Sequence, residues 1–164
     1  MKYILYFLVL SFTSICKSNS IDSETIMLVQ LRYVESGGNK TSATIVLFNE
    51  STRETLTLRA RTSNVSKISL NPGIYSLDTY FTYGGVEVNL DKMGYKFEIK
   101  PNEINYVGDW LFTENWSEFM SKYGKVGVSF ETSFSKVTIE NGFAKYPDLF
   151  KSLKFNVAKA LISE

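Results

Sequence analysis

The sequence predicts a mainly β protein: an antiparallel β-sandwich of about eight strands with one C-terminal amphipathic helix. Three observations carry this prediction. Runs of alternating apolar and polar residues recur through the middle of the chain, separated by turn residues at intervals of roughly 8–12 residues. Residues that favour strands are abundant, with 12 Phe, 10 Tyr and 2 Trp among 164 residues. Near the C-terminus the apolar spacing changes to three or four residues, which is typical of a helix.

The first 20 residues have the pattern of a signal peptide. Lys2 supplies a positive charge, and the apolar run from Tyr3 to Phe12 is too short for a membrane span, which needs about 20 apolar residues. We therefore expect export, followed by one domain over residues 21–164. Two ways of processing this segment are compatible with the sequence. Cys16 stands where a bacterial lipoprotein carries its acylated cysteine, whereas cleavage after Ser18 or Ser20 would discard it.

The predicted strands begin with Ile26–Val34, which is apolar enough to be central in a sheet. Ala43–Phe48 and Thr55–Arg61 form a hairpin across a polar turn. Lys67 to Leu70 then leads into a Pro72-Gly73 turn. Further strands are expected over residues 73–83, 86–90, 95–100, 104–112 and from 126 to about 139.

A hairpin around Gly84-Gly85 is the strongest local signal, because a two-residue turn of this kind needs positive φ at both positions. If Tyr83 faces Val86, then Phe81 lies opposite Val88. In this register Tyr75, Leu77 and Phe81 point into the core, whereas Asp78 and Tyr80 point outward.

A single helix is predicted over about residues 146–162. Its apolar residues recur at a spacing of three or four: Leu149, Phe150, Leu153, Val157, Leu161 and Ile162. Pro147 suits the first helical position, and Asp148 complements the positive helix N-terminus. We expect this helix to cover one side of the sandwich.

Composition excludes several kinds of chemistry. The chain has no His and one Cys, Cys16, so it can build neither a Ser-His-Asp site nor a His-based zinc site nor an intrachain disulfide. The formal charge is +1, with 18 basic and 17 acidic residues and no basic cluster, so nucleic acid is not an expected partner. We expect no cofactor and no bound metal.

Two candidate sites emerge from the predicted register. Asp78 lies opposite Asp91, and paired carboxylates can share a proton or bind Ca²⁺, although the pair is more simply a turn feature. The outward Tyr80, with Trp110 or Trp116, is a candidate aromatic surface for a ligand or partner, although most aromatic residues in such a protein fill the core.

Three short stretches resemble exported bacterial proteins. Asn71-Pro-Gly-Ile-Tyr resembles the turn of carboxypeptidase-regulatory-like and PEGA-type modules, which are prealbumin-like β-sandwiches. The stretch from Phe97 to Asp109 resembles paired strands of small bacterial lipoproteins of the DUF2846-like group, and Lys145-Tyr-Pro-Asp-Leu is similar to a helix that ends some of them. The resemblance implies a prealbumin-like fold outside the cytoplasm and supplies no functional residues.

The leading hypothesis is a non-catalytic exported protein of the cell envelope, periplasmic, attached to the outer membrane or secreted, that serves as an accessory or binding module. It would bind an unknown protein or glycan and contact a membrane only through a lipid on Cys16. The alternative is a secreted protein that binds a glycan or hydrophobic ligand through outward aromatic residues. An enzyme that relies on carboxylates alone comes third.

Overall fold

The computed structural model describes residues 24–35, 43–60, 65–82, 85–115 and 127–162. The predicted signal peptide, Cys16 and Trp116 lie outside these residues. Two β-sheets face each other in the described part of the chain, so the mainly β, sandwich-like prediction is confirmed. Its strands are β1 Ile26–Glu35, β2 Ala43–Asn49, β3 Thr55–Ala60, β4 Val65–Ser69, β5 Gly73–Phe81, β6 Glu87–Asn89, β7 Tyr95–Ile99, β8 Glu103–Asn115, β9 Gly127–Ser133, β10 Lys154–Val157 and β11 Ala160–Ile162.

The first sheet has the order β10-β8-β1-β4, and β9 also pairs with β8. Strand β8 pairs in parallel with β1 on one side. Its other edge is shared, because β10 pairs with Glu103 to Tyr106 and β9 pairs with Asp109 to Asn115. The second sheet has the order β11-β7-β5-β2-β3, with β6 beside β5, and all its pairs are antiparallel. The β1–β8 and β8–β10 pairs are therefore parallel exceptions to the expected antiparallel sandwich.

The main core lies between the two sheets. The first sheet contributes alternate residues of β1 and β8, and the second contributes alternate residues of β2, β5 and β7, as a two-residue period requires. Its largest fully buried side chains are aromatic, and their rings stack or meet edge to face at centroid distances of 5.2 to 5.9 Å. They include Trp110, Tyr80, Phe97 and Phe112.

A second core lies on the outer face of the first sheet, beneath two helices. Helix α1 spans Lys136–Lys145 and helix α2 spans Pro147–Ser152. Ile26, Leu28 and Ile104 point toward these helices, and the partly buried residues that pack on them are Ile139, Tyr146, Leu149, Phe150, Leu153 and Phe155. The helical region therefore covers one side of the sandwich.

The predicted boundaries of the C-terminal helix are wrong. The strand expected to reach Ile139 gives way to α1, whose N-cap Ser135 accepts a hydrogen bond from the Thr138 backbone N–H. Pro147 does begin a helix, but α2 ends at Ser152. The residues that follow form β10 and β11 because they pair with β8 and β7. The apolar spacing read as one helix is therefore shared by a short helix and two strands.

The predicted register of the β5–β6 hairpin is also wrong, by one residue. Tyr80, not Phe81, lies opposite Val88, and the Thr82 N–H donates to the Val86 carbonyl. Three residues, rather than two, therefore separate the hydrogen-bonded Thr82 and Val86, and one of them, Gly85, has φ +76°. A β-bulge at Asp78 changes the faces as well, because Val46 pairs with Thr79 while Leu47 pairs with Leu77.

Candidate functional site

An open groove lies at one end of the sandwich, where the two sheets separate. It has a volume of about 1000 Å³ and adjoins the start of β3, an edge strand of the second sheet, and the end of β4, an edge strand of the first. The residues that line it are Glu24, Thr25, Asn49, Arg53, Glu54, Thr55, Leu56, Ser69, Leu70, Asn71, Pro72, Tyr75 and Pro101. A groove of this size accommodates a small ligand or an extended segment of peptide.

The turn between β2 and β3 shapes one wall of the groove. The buried Asn49 side chain accepts hydrogen bonds from the backbone N–H groups of Ser51 and Thr52, at 2.9 and 3.2 Å, and so holds the turn closed. Arg53 completes the turn at φ +64°, a backbone conformation that a side chain with a Cβ seldom adopts. The turn is therefore fixed before any ligand arrives.

A chain of hydrogen bonds links this turn to the Pro72-Gly73 turn. The Tyr75 hydroxyl donates to the Asn71 carbonyl at 2.8 Å, and the Asn71 side-chain amide donates to Glu54 at 3.2 Å. Burial raises the pKa of Tyr75, so its hydroxyl stays a neutral donor. The Asn-Pro-Gly-Ile-Tyr stretch identified in the sequence thus builds a wall of the groove.

Strand β3 presents an open backbone edge beside the groove. Within the described residues it pairs with β2 alone, through a register without a bulge from Ala43–Ala60 to Phe48–Thr55. The Asn49 N–H donates to the Glu54 carbonyl at 2.8 Å, and hydrogen-bonded pairs recur every second residue in an antiparallel ladder. The backbone N–H and C=O groups of Thr55, Thr57 and Arg59 therefore point away from β2, toward the open side.

A second cavity, of about 720 Å³, lies on the outer face of the first sheet. At its floor Asp109 is almost fully buried, and it accepts hydrogen bonds from the Tyr106 hydroxyl at 2.6 Å and from Thr138 at 2.9 Å. Burial, and then the hydrogen bond to Asp109, raise the pKa of Tyr106 to about 12. Thr138 also lies 2.7 Å from Gln30 Oε1. The first turn of α1 is thereby tied to β1 and β8.

A second buried carboxylate, Glu114, lies inside the main core. Its Oε1 accepts a hydrogen bond from the Tyr80 hydroxyl at 3.0 Å, and both side chains are fully buried. Burial and the nearby Glu114 charge raise the pKa of Tyr80. Sequence reasoning missed this pair, although Glu114 has the same parity along β8 as the buried Trp110 and Phe112. That parity is the signal that places Glu114 inside.

The prediction of an outward aromatic surface is wrong for Tyr80 and Trp110. Tyr80 and Trp110 are both fully buried in the main core, so neither reaches a ligand at the surface. The Asp78 bulge turns Tyr80 inward, and Trp110 sits on the inner face of β8 with its ring nitrogen donating to the Val107 carbonyl at 3.0 Å. Trp116 and Cys16 lie outside the described residues.

The predicted pairing of Asp78 with Asp91 is wrong as well. The Asp78 carbonyl accepts a hydrogen bond from the Leu90 N–H, and Asp91 begins a short 3-10 helix over Asp91–Met93. Asp78 accepts a hydrogen bond from Thr79, and Asp91 accepts one from the Asn89 side chain. Each carboxylate therefore has its own hydrogen-bond partner, although both residues line a cavity of about 370 Å³ on the second sheet.

In the part of the chain that the structure describes, no group of three or more Cys, Asp or Glu side chains is placed to hold a metal ion. No helix there is long and apolar enough to cross a membrane. Comparison of the chain with models of known protein families gave no match, and comparison with curated proteins gave none either. The groove beside β3, together with the open edge of that strand, is therefore the candidate binding site in the described residues.

Proposed function

We propose that this chain is a non-catalytic, exported binding module that takes up an extended segment of a partner protein by strand addition at β3. The observation that carries the proposal is the open, unbulged edge of β3 beside a groove of about 1000 Å³. Main-chain hydrogen bonds to an edge strand supply affinity, and the neighbouring groove selects side chains of the incoming segment.

Within the described residues, the edge of β3 lacks most of the usual protections against pairing, and Arg59 is its one charged side chain. Strands are commonly guarded by Pro, Lys, bulges or a covering element, and the described β3 sequence Thr-Leu-Thr-Leu-Arg-Ala has neither Pro nor Lys. The start of β4 differs, because the Val65 carbonyl accepts hydrogen bonds from Lys145 and from Tyr146 of the helical region. Strand β3 is therefore the better template of the two strands that border the groove.

The groove sets the character of the segment that would bind. Leu56 and Leu70 line it and are partly buried, so an apolar side chain directed inward gains contact there. Glu24 and Glu54 line the same groove, and Glu24 is joined to Lys67 at 2.8 Å. We expect alternating apolar and polar residues, with a basic residue near Glu54.

A substitution on β3 tests strand addition directly. Thr57→Pro removes an outward backbone N–H and is tolerated at an edge strand, whereas Thr57→Val keeps the N–H. A random peptide library displayed on phage would be selected against the full chain, and enriched peptides measured by fluorescence anisotropy. We expect Thr57→Pro to weaken binding at least about tenfold and Thr57→Val to leave it within about twofold. Failure to enrich any peptide, or equal binding by a folded Thr57→Pro variant, would contradict the proposal.

We further propose export with a single domain over residues 21–164, attachment to a membrane through Cys16, and a sandwich of the prealbumin-like type. The support is the N-terminal charge and apolar run, together with the three resembling stretches. The intact mass of the chain recovered from a bacterial host tests the attachment. A chain that begins at Cys16 with added acyl mass supports it, and an unmodified chain that begins at Asn19 or Ile21 contradicts it.

A further inference from the structure

Half of the eight large apolar side chains that remain exposed in the described residues lie between residues 134 and 157. They are Phe134 at 48% exposure, Val137 at 63%, Phe143 at 43% and Val157 at 41%. We call these four residues the helical patch. Of the other four, Met93 and Leu161 line one small cavity, and Val34 and Val86 lie elsewhere.

The helical patch is continuous through ring contacts and strand pairing. The rings of Phe134 and Tyr106 meet edge to face at 5.8 Å, and Tyr106 pairs with Val157 across β8 and β10. Phe155 lies two residues from Val157 on the same face of β10, and its ring is 5.8 Å from that of Phe143. Phe134, Val157 and Phe143 are thereby linked through Tyr106 and Phe155 along the edge strand β10. Val137 lies three residues after Phe134, in the first turn of α1.

Positive charge accompanies the helical patch. Residues 134–159 hold five lysines and two acidic residues, whereas the rest of the chain has thirteen basic and fifteen acidic residues. Both acidic residues are joined to lysines: Glu140 lies 3.6 Å from Lys136, and Asp148 lies 3.1 Å from Lys151. Lys154 lies 3.2 Å from Glu103, and Lys145 donates to the Val65 carbonyl at 3.0 Å, but all five lysines are exposed to solvent. The helical region therefore carries a net charge of opposite sign to that of the remaining chain.

We propose that the helical patch docks onto the surface of a bilayer that contains anionic phospholipid. Exposed apolar side chains enter the boundary between headgroups and acyl chains, while lysines around them contact headgroup phosphates, and both are typical of helices that lie on membranes. Exposed apolar side chains accompanied by exposed lysines in one region of the fold indicate an interaction surface. Because this surface lies on the helical layer, docking leaves the β3 edge available, and the inference stands independently of the proposed function.

Flotation of the full chain with vesicles of phosphatidylcholine, with and without phosphatidylglycerol, tests the docking. We expect binding at least about fivefold tighter when phosphatidylglycerol is present, and weaker binding as salt is raised, because surface charges are screened. All variants carry the same N-terminal segment, so any contribution of its apolar run is common to them. Equal binding to both kinds of vesicle would overturn the proposal.

Two pairs of variants locate the contact. The apolar test is Phe134→Ser with Val137→Ser, matched by Val34→Ser with Val86→Ser at exposed sites elsewhere. We expect at least about a fivefold loss of affinity from the first double variant and no more than about a twofold change from its control. If a folded test variant, verified by circular dichroism, binds as the wild type does, the patch is not the docking surface.

The charge test is Lys136→Gln with Lys159→Gln, matched by Lys92→Gln with Lys100→Gln, which removes the same charge from exposed sites in another part of the chain. We expect the first double variant to lower affinity for phosphatidylglycerol vesicles at least about fivefold more than its control. An equal loss from both would mean that only net charge acts, which overturns a specific docking surface. Selective binding to an acidic protein, with none to vesicles, would overturn the bilayer as occupant.

Discussion

Tyr106 shows how one residue connects the sheet to the helical layer. Its ring belongs to the core beneath α1 and α2, while its hydroxyl donates to Asp109 at 2.6 Å and accepts from the Ser135 N–H at 3.3 Å. The hydroxyl is thus satisfied in both roles where water is largely excluded. A buried polar group with complete hydrogen bonding is stabilising, and it becomes costly when one partner is lost.

The raised pKa of Tyr106 makes the free energy of unfolding depend on pH in the alkaline range. Its folded pKa is about 12, against 10.0 for an exposed tyrosine. Below pH 10 both states keep the proton, and the stabilisation is fully present. As the pH rises toward 12, the unfolded chain ionises first, so the free energy of unfolding falls. We expect the wild type to lose about 1 kcal/mol from this group between neutral pH and about pH 11, measured by urea unfolding.

Tyr106→Phe is the test of that assignment. The variant is less stable at neutral pH because Asp109 loses a hydrogen bond, but its decline above pH 10 is shallower than that of the wild type. Ser135→Ala is the matched control, because it removes the cap of the same cluster and leaves the tyrosine in place. If the free energy of unfolding of Tyr106→Phe falls above pH 10 as steeply as that of the wild type, another group causes the decline.

Glu114 and Asp109 are two buried carboxylates on β8 whose burial was not predicted from the sequence. Alternation along β8 correctly makes the strand largely apolar and buried, but hydrophobicity alone does not place a carboxylate inside. Each buried acid accepts a hydrogen bond from a tyrosine: Glu114 accepts one from Tyr80 of the facing sheet, and Asp109 accepts one from Tyr106 on the same strand. Tyr80 lies 34 residues from Glu114 along the chain, so no local pattern reveals that pair.

At the scale of elements, the bulge at Val107-Gly108 divides β8 into two segments that pair with different strands. Leu28 pairs with Tyr106 and Gln30 with Asp109, so two residues of β8 oppose Val29. The bulge separates the segment that pairs with β10 from the segment that pairs with β9. Gly108 lies at this bulge with φ +103°, and a glycine within an apolar strand is the local signal for such a feature.

The variant Gly108→Ala tests how much the glycine at this bulge contributes to the free energy of unfolding. Gly108 has φ +103°, and an added Cβ would lie 2.8 Å from Thr132 Oγ1 and 2.9 Å from the Ser133 carbonyl oxygen. Because the second contact is with backbone, we expect a loss of roughly 3 kcal/mol or more in the free energy of unfolding.

Gly85→Ala provides the matched control for this prediction. Gly85 also has positive φ, at +76°, but an added Cβ meets nothing within 4 Å. Only the backbone conformation is penalised there, so we expect a loss of about 1 kcal/mol in urea unfolding. Equal losses from the two alanine variants would show that the crowding at Gly108 relaxes without cost.

The C-terminal region shows why element type was the least predictable feature. Leu149, Phe150 and Leu153 have helical spacing, and the helix over them does form. Val157 continues the helical spacing, yet it lies in strand β10, where Phe155 packs against the helical layer. The edge of β8 offers backbone hydrogen bonds that a longer helix would leave unused, and this pairing overrides local periodicity.

At the scale of the whole molecule, three layers arrange the surfaces. The second sheet, the first sheet and the helical layer stack in that order, so the first sheet is covered on both faces where α1 and α2 lie. This placement leaves the β3 edge and its groove at one side and the helical patch on the outer layer. A peptide at β3 and a membrane at the helical patch can therefore be accommodated together.

The sequence by itself determined the mainly β class, most strand positions, the helical start at Pro147 and the absence of histidine chemistry, because alternation, turn residues and composition are local properties. Tertiary structure decided which residues face outward and where the helices end. The Asp78 bulge buried Tyr80, and pairing with β8 turned the predicted end of the helix into β10. A one-residue change of register moves every side chain to the other face, and its cost depends on contacts from distant strands.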